Sequence, residues 1–299
     1  MKKLIRFGFA AAAMASVGLA AVMAWPVGAP LEEFELEGDV ARGAYLARAA
    51  GCIACHTDVA NGGAPLAGGV RLATPFGTLV SPNLTTDPEH GLGGWTIEEF
   101  GRAVRQGVSP EGAPYYPAFT YPFYANFSDQ EIADLWAAFR TVPPVAEAAP
   151  AHDMAFPFDQ RWGLKLWRAL FLEPPRTDPV AGKGEMWNRG RQLVEGAAHC
   201  AACHTARNLA GARLTDEAHL GGNDALPGGG KAPAIDAEAL RRGGWTVDAL
   251  AYALKTGLAP DGDAFGGSMG EVVLLGTGFL TDADRLAMAA YLLDEAPGT

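Results

Sequence analysis

The sequence has few cysteines, no low-complexity tract and no alternation of apolar and polar residues that would predict a β-strand. Its 299 residues include four cysteines, and all four lie in two Cys-x-x-Cys-His pentads, at residues 52–56 and 200–204. A disulfide within each pair would leave the adjoining histidine unexplained. A four-cysteine zinc site would require two distant pentads to converge, and it also gives the histidines no role. Structural disulfides and zinc are therefore disfavoured.

Each pentad is typical of covalent haem attachment. Two thiols at this spacing reach the two vinyl groups of one haem, and the adjacent histidine reaches the iron from the same face. We therefore expect two c-type haems. The residues expected to attach them are Cys52, Cys55, Cys200 and Cys203, and the histidines expected to bind iron are His56 and His204.

Positive charge is scarce, because 23 lysines and arginines face 34 acidic residues, for a net charge of −11. Lys2, Lys3 and Arg6 precede an apolar run at residues 7–24, a pattern typical of export. We interpret residues 1–28 as a signal peptide or an N-terminal membrane anchor, and both place the rest in the periplasm. The acidic remainder argues against nucleic acid as a partner and permits docking onto a basic redox protein, although it also serves solubility.

The chain contains an internal repeat. The letters GGWTI at residues 93–97 follow the first pentad, and GGWTV at residues 243–247 follow the second. From Trp95 and Trp245 onward the two copies align without a gap for about 25 residues. Such a long unit indicates duplicated domains rather than a solenoid.

Capping signals place helices at matching points of the two copies. Helical spacing is present at residues 39–50. Thr96 caps a helix that ends near Gln106, with Gly107 as its stop. A capping box at residues 128–131 begins a closing helix, and its counterpart begins at Thr281. Between the copies an apolar helical patch is expected to pack across both, contact with a membrane subunit being the alternative; it comprises Trp162, Leu164, Leu166, Trp167, Leu170 and Phe171.

The alignment separates the two haems at the sixth iron position. Met269 lies 24 residues after Trp245 and follows a glycine-rich loop, and a thioether is a common sixth ligand. The equivalent residue of the first copy is Phe119, which cannot bind iron. The remaining candidates for the first haem, among which the sequence does not choose, are Tyr115, Tyr116, Tyr121, His90, His152 and Met154. Carbonyl groups near Pro82 and Pro233 are expected to accept the ring proton of the proximal histidines.

Beyond the pentads, further motifs resemble those of the dihaem and trihaem cytochrome c subunits of bacterial membrane-associated dehydrogenases, such as quinoprotein alcohol dehydrogenases. They are SPNLT at 81–85, GLGGW at 91–95, GVSP at 107–110, YPA at 116–118, CAACHT at 200–205, RNL at 207–209 and GSMGEVV at 267–273. The resemblance covers nearly all of the chain after residue 40. In that family the loop after YPA usually supplies a methionine, so Phe119 is a departure.

The resemblance and the repeat together predict an all-α fold of two tandem cytochrome c-like domains, each around one haem. The expected segments are the leader at 1–28, domain 1 at 29–148, a connector at 149–184 and domain 2 at 185–299. We expect electron transfer from a dehydrogenase or quinol to an oxidase or cytochrome, without a catalytic residue. Two alternatives are a haem enzyme or small-ligand binder with an open first iron, and a docking module whose first haem is idle.

Overall fold

A computed structural model describes residues 13–14 and 16–295. The basic residues of the expected leader, Lys2, Lys3 and Arg6, lie outside this range, as does the start of the apolar run. Residues 16–24 are helical. Across the described ranges, every helix is too short or too polar to traverse a membrane.

Helices dominate both copies of the repeat and the connector. In the first copy they are α1 Val40–Ala49, α2 Cys52–His56, α3 Ile97–Gln106, α4 Tyr121–Tyr124 and α5 Asp129–Phe139. The connector contributes α6, Gly163–Phe171. In the second copy they are α7 Glu185–Gln192, α8 Ala201–His204, α9 Thr215–Ala218, α10 Ala237–Arg242, α11 Val247–Thr256, α12 Gly267–Leu275 and α13 Asp282–Leu293. Short turns of other helical types lie at Val59–Asn61, Leu193–Ala197 and Thr277–Phe279.

Helices α3 and α11 begin and end as their sequences predict. The Thr96 hydroxyl accepts from the Glu99 amide at 3.2 Å, and the Glu99 carboxylate accepts from the Thr96 amide at 2.9 Å. This reciprocal box satisfies two amides that helical bonding leaves free. Thr246 caps α11 in the same position. Both helices end at a left-handed glycine, Gly107 (φ 62°) and Gly257 (φ 75°).

Each copy of the repeat is built on a close crossing of two helices, α1 with α5 and α7 with α13. A β-carbon on Gly43 would lie 1.8 Å from the Asp134 carbonyl oxygen. On Gly190 it would lie 1.9 Å from the Ala287 carbonyl oxygen. Only glycine permits these approaches, so the two copies share a backbone geometry as well as a sequence pattern.

The expectation of an all-α fold is wrong in one part, because the first copy and the connector together form a small antiparallel sheet. Its strands are β1 Arg71–Thr74, β2 Gly77–Val80 and β3 Asp153–Met154, in the order β1-β2-β3. Strands of four and two residues are too short to show alternation in the sequence. β3 also reaches β2 from the connector, a pairing that local pattern cannot reveal.

The two copies pack against each other along α1. The Tyr45 hydroxyl donates to Asp284 Oδ2 at 2.7 Å and accepts from the Thr281 amide at 3.0 Å. The Arg48 guanidinium lies 4.3 Å from the centroid of the Phe279 ring. A hydrophobic core of buried residues extends through both copies.

Helix α6 contacts both copies, but the predicted packing of its apolar patch is confirmed only in part, because no residue of the helix is fully buried. The Trp167 indole nitrogen donates to the Ala210 carbonyl at 2.9 Å, and the Arg168 guanidinium lies 5.1 Å from the Tyr121 ring centroid. Leu166 and Leu170 remain exposed on its outer side. The connector thus holds the copies together with one face of its helix.

Candidate functional site

The cysteines of each pentad lie on one helical turn. Cys52 and Cys55 belong to α2, while Cys200 caps α8 and Cys203 lies within it. Residues three apart lie on one side of a helix, so each pair of thiols points the same way. All four thiols are free. Burial raises the pKa of Cys52 and of Cys200 to about 12, which keeps both as neutral thiols; the smaller causes are Cys55 for Cys52, and Glu195 and Cys203 for Cys200.

The histidine of each pentad is held by a proline carbonyl, as predicted. His56 Nδ1 lies 2.8 Å from the Pro82 carbonyl oxygen, and His204 Nδ1 lies 2.7 Å from that of Pro233. A carbonyl only accepts, so Nδ1 carries the proton and Nε2 keeps its lone pair for a metal. Burial lowers the pKa of both imidazoles, which favours the neutral form that binds iron.

The loop after each pentad repeats the same hydrogen bonds. The Thr57 hydroxyl accepts from the Leu66 amide at 3.1 Å, and the Thr205 hydroxyl accepts from the Leu220 amide at 3.0 Å. Both leucines adopt left-handed backbone angles, with φ of 60° and 56°. An unfavourable conformation at equivalent places shows that the two loops, each of which follows a pentad, share one constrained backbone geometry.

Met269 and Phe119 follow equivalent turns but have different surroundings. The Tyr115 amide donates to the Gly107 carbonyl at 2.8 Å, and the Phe265 amide donates to that of Gly257 at 2.7 Å. Met269 then lies in α12, half-buried against the core. Phe119 is also half-buried and contacts three tyrosine rings at centroid distances of 5.8 to 6.3 Å; they are Tyr115, Tyr121 and Tyr124.

The other candidates for the sixth position of the first haem lie in different surroundings. Burial raises the pKa of Tyr115 to about 12 and also raises that of Tyr121. His152 Nδ1 accepts from the Val80 amide at 3.1 Å, and Met154 pairs with Gly77 in the sheet. The two remaining candidates are Tyr116, whose hydroxyl donates to the Phe158 carbonyl, and His90, whose amide donates to Asp87.

The two pentads lie close to each other, which the sequence alone does not show. Burial raises the pKa of Cys55, and the nearby Cys203 and Glu271 raise it further. Helix α12, which carries Glu271, packs directly against α2. The two attachment turns are therefore neighbours, although they are far apart in the sequence.

His199 is a further residue of this region that sequence reasoning missed. A β-carbon on Gly51 would lie 3.6 Å from His199 Nε2, and the His199 ring is 5.9 Å from that of Tyr124. The Tyr124 hydroxyl donates to the Ala50 carbonyl at 2.5 Å. Aligning the pentads sets His199 opposite Gly51, so a comparison of the residues before each first cysteine would have found it.

The residues present fit two haems. Each pentad offers two unpaired thiols on one side of a turn and an imidazole with a free Nε2. Beside Cys203, the Arg207 Nε is buried with no hydrogen-bond partner among the described residues, which suits a carboxylate of a bound group. A mostly helical chain in which this set of two thiols and one imidazole occurs twice is a c-type cytochrome.

Comparison with known proteins agrees with this class. The chain is 43% identical to a dihaem cytochrome c-type protein of Cereibacter sphaeroides, over 86% of each chain. It is 39% identical to the cytochrome c subunit of a quinone-dependent alcohol dehydrogenase of Gluconobacter oxydans, over 93% of this chain and 58% of the relative. It is 41% identical to a gluconate 2-dehydrogenase cytochrome c subunit of Pantoea cypripedii, over 85% of this chain and 58% of the relative. No family model matches the chain.

The chain belongs to the family of dihaem c-type cytochromes that includes the cytochrome subunits of bacterial dehydrogenases. It carries two c-type haems and is an electron-transfer protein. It spans somewhat more than half the length of the two dehydrogenase subunits.

Proposed function

We propose that the two pentads attach the haems and supply the proximal iron ligands. The attaching residues are Cys52, Cys55, Cys200 and Cys203, and the proximal ligands are His56 and His204. The free thiols and the ring contacts to the proline carbonyls support this assignment. Met269 is the sixth ligand of the second haem, supported by its place after the same turn that precedes Phe119.

We further propose that each copy of the repeat is a cytochrome c-like domain with its own haem. Residues 29–148 form the first domain, 149–184 the connector and 185–299 the second. The duplicated helix crossings and histidine contacts support this division. Bound haem supplies reversible one-electron chemistry, and the chain's residues hold it, fix the imidazole and limit access of water.

The proximity of the two attachment turns carries the proposed function. Cys55 lies near Cys203, and α12 of the second copy packs against α2 of the first. An electron entering at one haem would therefore have a short path to the other. Both haems then act as one relay between an electron donor and an acceptor, with no catalytic residue of its own.

We infer that the relay works in the periplasm, between a dehydrogenase or quinol and a downstream oxidase or cytochrome. The basic and apolar leader supports export. It is either cleaved as a signal peptide or retained as an N-terminal membrane anchor. The relatives' names supply the dehydrogenase partner. The net charge of −11 favours a basic docking surface on the partner.

Two measurements test this proposal. Denaturing mass spectrometry of C52S/C55S and of C200S/C203S should each show one haem fewer than the parent chain. Rapid mixing with a reduced donor should then reduce both haems within one turnover. Retention of two covalent haems in either variant would overturn the attachment sites. A first haem that stays oxidised would mean that the first domain is a docking module whose haem is idle.

A second candidate function is binding of a small molecule at the first haem. At the position of Met269, the first copy has Phe119, which is in contact with three tyrosines and offers no thioether. Carbon monoxide added to the reduced protein should shift the Soret band of about half the haem if that iron is open. An unchanged spectrum would leave only the relay.

A further inference from the structure

The second copy contains one residue more than the first between its crossing glycine and its pentad. Gly43 is followed by Cys52 nine positions later, whereas Gly190 is followed by Cys200 ten positions later. The extra residue is accommodated in the π-helical turn Leu193–Ala197. Such single-turn bulges are rare and often occur at functional sites.

The π-helical turn contains Glu195, whose carboxylate is mostly buried. Its side chain is 22% exposed. His219 Nε2 lies 2.8 Å from Glu195 Oε1, and the Tyr291 hydroxyl donates to the same oxygen at 2.8 Å. A partly buried carboxylate with two such partners is held in a fixed place.

This cluster lies beside the second attachment turn. The Cys200 amide donates to the Val194 carbonyl at 3.1 Å, so the residue adjoining Glu195 is bonded directly to the pentad. Burial raises the pKa of the Cys200 thiol, and the Glu195 carboxylate raises it further, so the two groups interact electrostatically. Tyr291 interacts with Cys200 in the same way.

The first copy has no equivalent cluster. Counting from the helix caps Ser128 and Thr281, the position of Tyr291 corresponds to Ala138. The only charged residue of the first copy in the segment corresponding to the π-helical turn is Arg48, of opposite sign. The two attachment turns therefore have neighbouring charges of opposite sign, although the backbone around them is repeated.

We propose that Glu195 is an electrostatic positioning residue that lowers the reduction potential of the second haem, with Tyr291 and His219 moderating its charge. The proposal rests on attachment of that haem to Cys200. A fixed negative charge stabilises ferric over ferrous iron, and it acts strongly where solvent screening is weak. It therefore opposes the rise in potential that a methionine ligand gives.

The charged and titratable groups around Glu195 are consistent with an ionised carboxylate. Burial alone would raise its pKa, but the bond to His219, the charge of His219, the Tyr291 hydroxyl and the charge of Arg213 outweigh burial and lower the pKa overall. The groups that face the cluster are His219 from the end of α9, Tyr291 from α13, Arg213 from the loop before α9 and Arg191 from α7.

The test is a spectroelectrochemical titration of the haem-loaded protein and three variants. E195Q should shift one of the two reduction waves to higher potential and leave the other in place. Y291F should shift the same wave to lower potential, because the ionised carboxylate loses a hydrogen-bond donor that partly screens its charge. E217Q removes an equal charge from the exposed side of α9 and should move neither wave.

Opposite shifts from E195Q and Y291F would not arise from a purely structural role. The proposal is overturned if E195Q leaves both waves unchanged, moves both equally, or moves the wave in the same direction as Y291F. Should E195Q fail to fold, Y291F decides alone: a lower wave supports the proposal and an unchanged wave overturns it. Two covalent haems in C200S/C203S would instead refute the attachment site itself, whatever the potentials do.

Discussion

Replacing Gly190 by alanine should destabilise the second copy of the repeat, although alanine is the better helix former. Gly190 lies inside α7, where the exchange would ordinarily gain about 1 kcal/mol. Here the new β-carbon would lie 1.9 Å from the Ala287 carbonyl oxygen, far inside van der Waals contact. Overpacking of this kind costs about 1–3 kcal/mol or more, and relief requires α7 and α13 to separate.

We therefore expect the free energy of unfolding of G190A to fall by about 2 kcal/mol, and Tm by roughly 4–8 °C. G43A should behave alike, because its β-carbon meets the Asp134 carbonyl in the equivalent crossing. G163A is the matched control: it lies at the start of α6 with no heavy atom within 4 Å, and should be neutral or slightly stabilising. Urea unfolding of the haem-loaded proteins measures all three. Parent-like stability of G190A would refute the close crossing.

Three further predictions concern the first copy. D134N should cost about 1 kcal/mol at neutral pH, because the bond to Arg42 and other donors lower the pKa of Asp134 to about 2 from 3.8, while solvent around the exposed Arg42 side chain screens part of this interaction. This stability is present above pH 4 and disappears as pH falls toward 2, so the parent and D134N should converge in acid unfolding. F119M should add a thioether–iron charge-transfer band and abolish any carbon monoxide binding, and an unchanged spectrum would contradict the equivalence with Met269. Y45F should lower the free energy of unfolding by about 1–2 kcal/mol through loss of the bond to Asp284, and no loss in urea unfolding would contradict the contact between the copies.

The elements that local chemistry dictates could be predicted from the sequence. Thr96 and Gly107 delimit α3 because a side-chain cap and a left-handed glycine are local signals. The Pro82 carbonyl could be assigned to His56 because the repeat supplies a second instance at Pro233 and His204. A proline near a pentad is a weak signal in one copy, but its recurrence at the equivalent place of the second copy makes the assignment possible.

The features that depend on distant contacts could not be predicted. β3 forms by pairing with β2, so its two residues carry no signal of their own. The proximity of Cys55 and Cys203 depends on how the copies pack. Glu195 lies in the segment that contains the one-residue insertion between Gly190 and Cys200, and this insertion is not visible when the copies are matched only at the pentads and the tryptophans.

Magnetic circular dichroism of the fully oxidised protein tests the central claim most directly, namely that one duplicated scaffold holds two haems with unequal iron ligands. The account predicts a thioether–iron charge-transfer band with the intensity of one haem, assigned to His204 and Met269, and a second ligand set without thioether for the haem of His56. Loss of the band in M269L would confirm the assignment. Two equivalent histidine–methionine haems, or none, would contradict it.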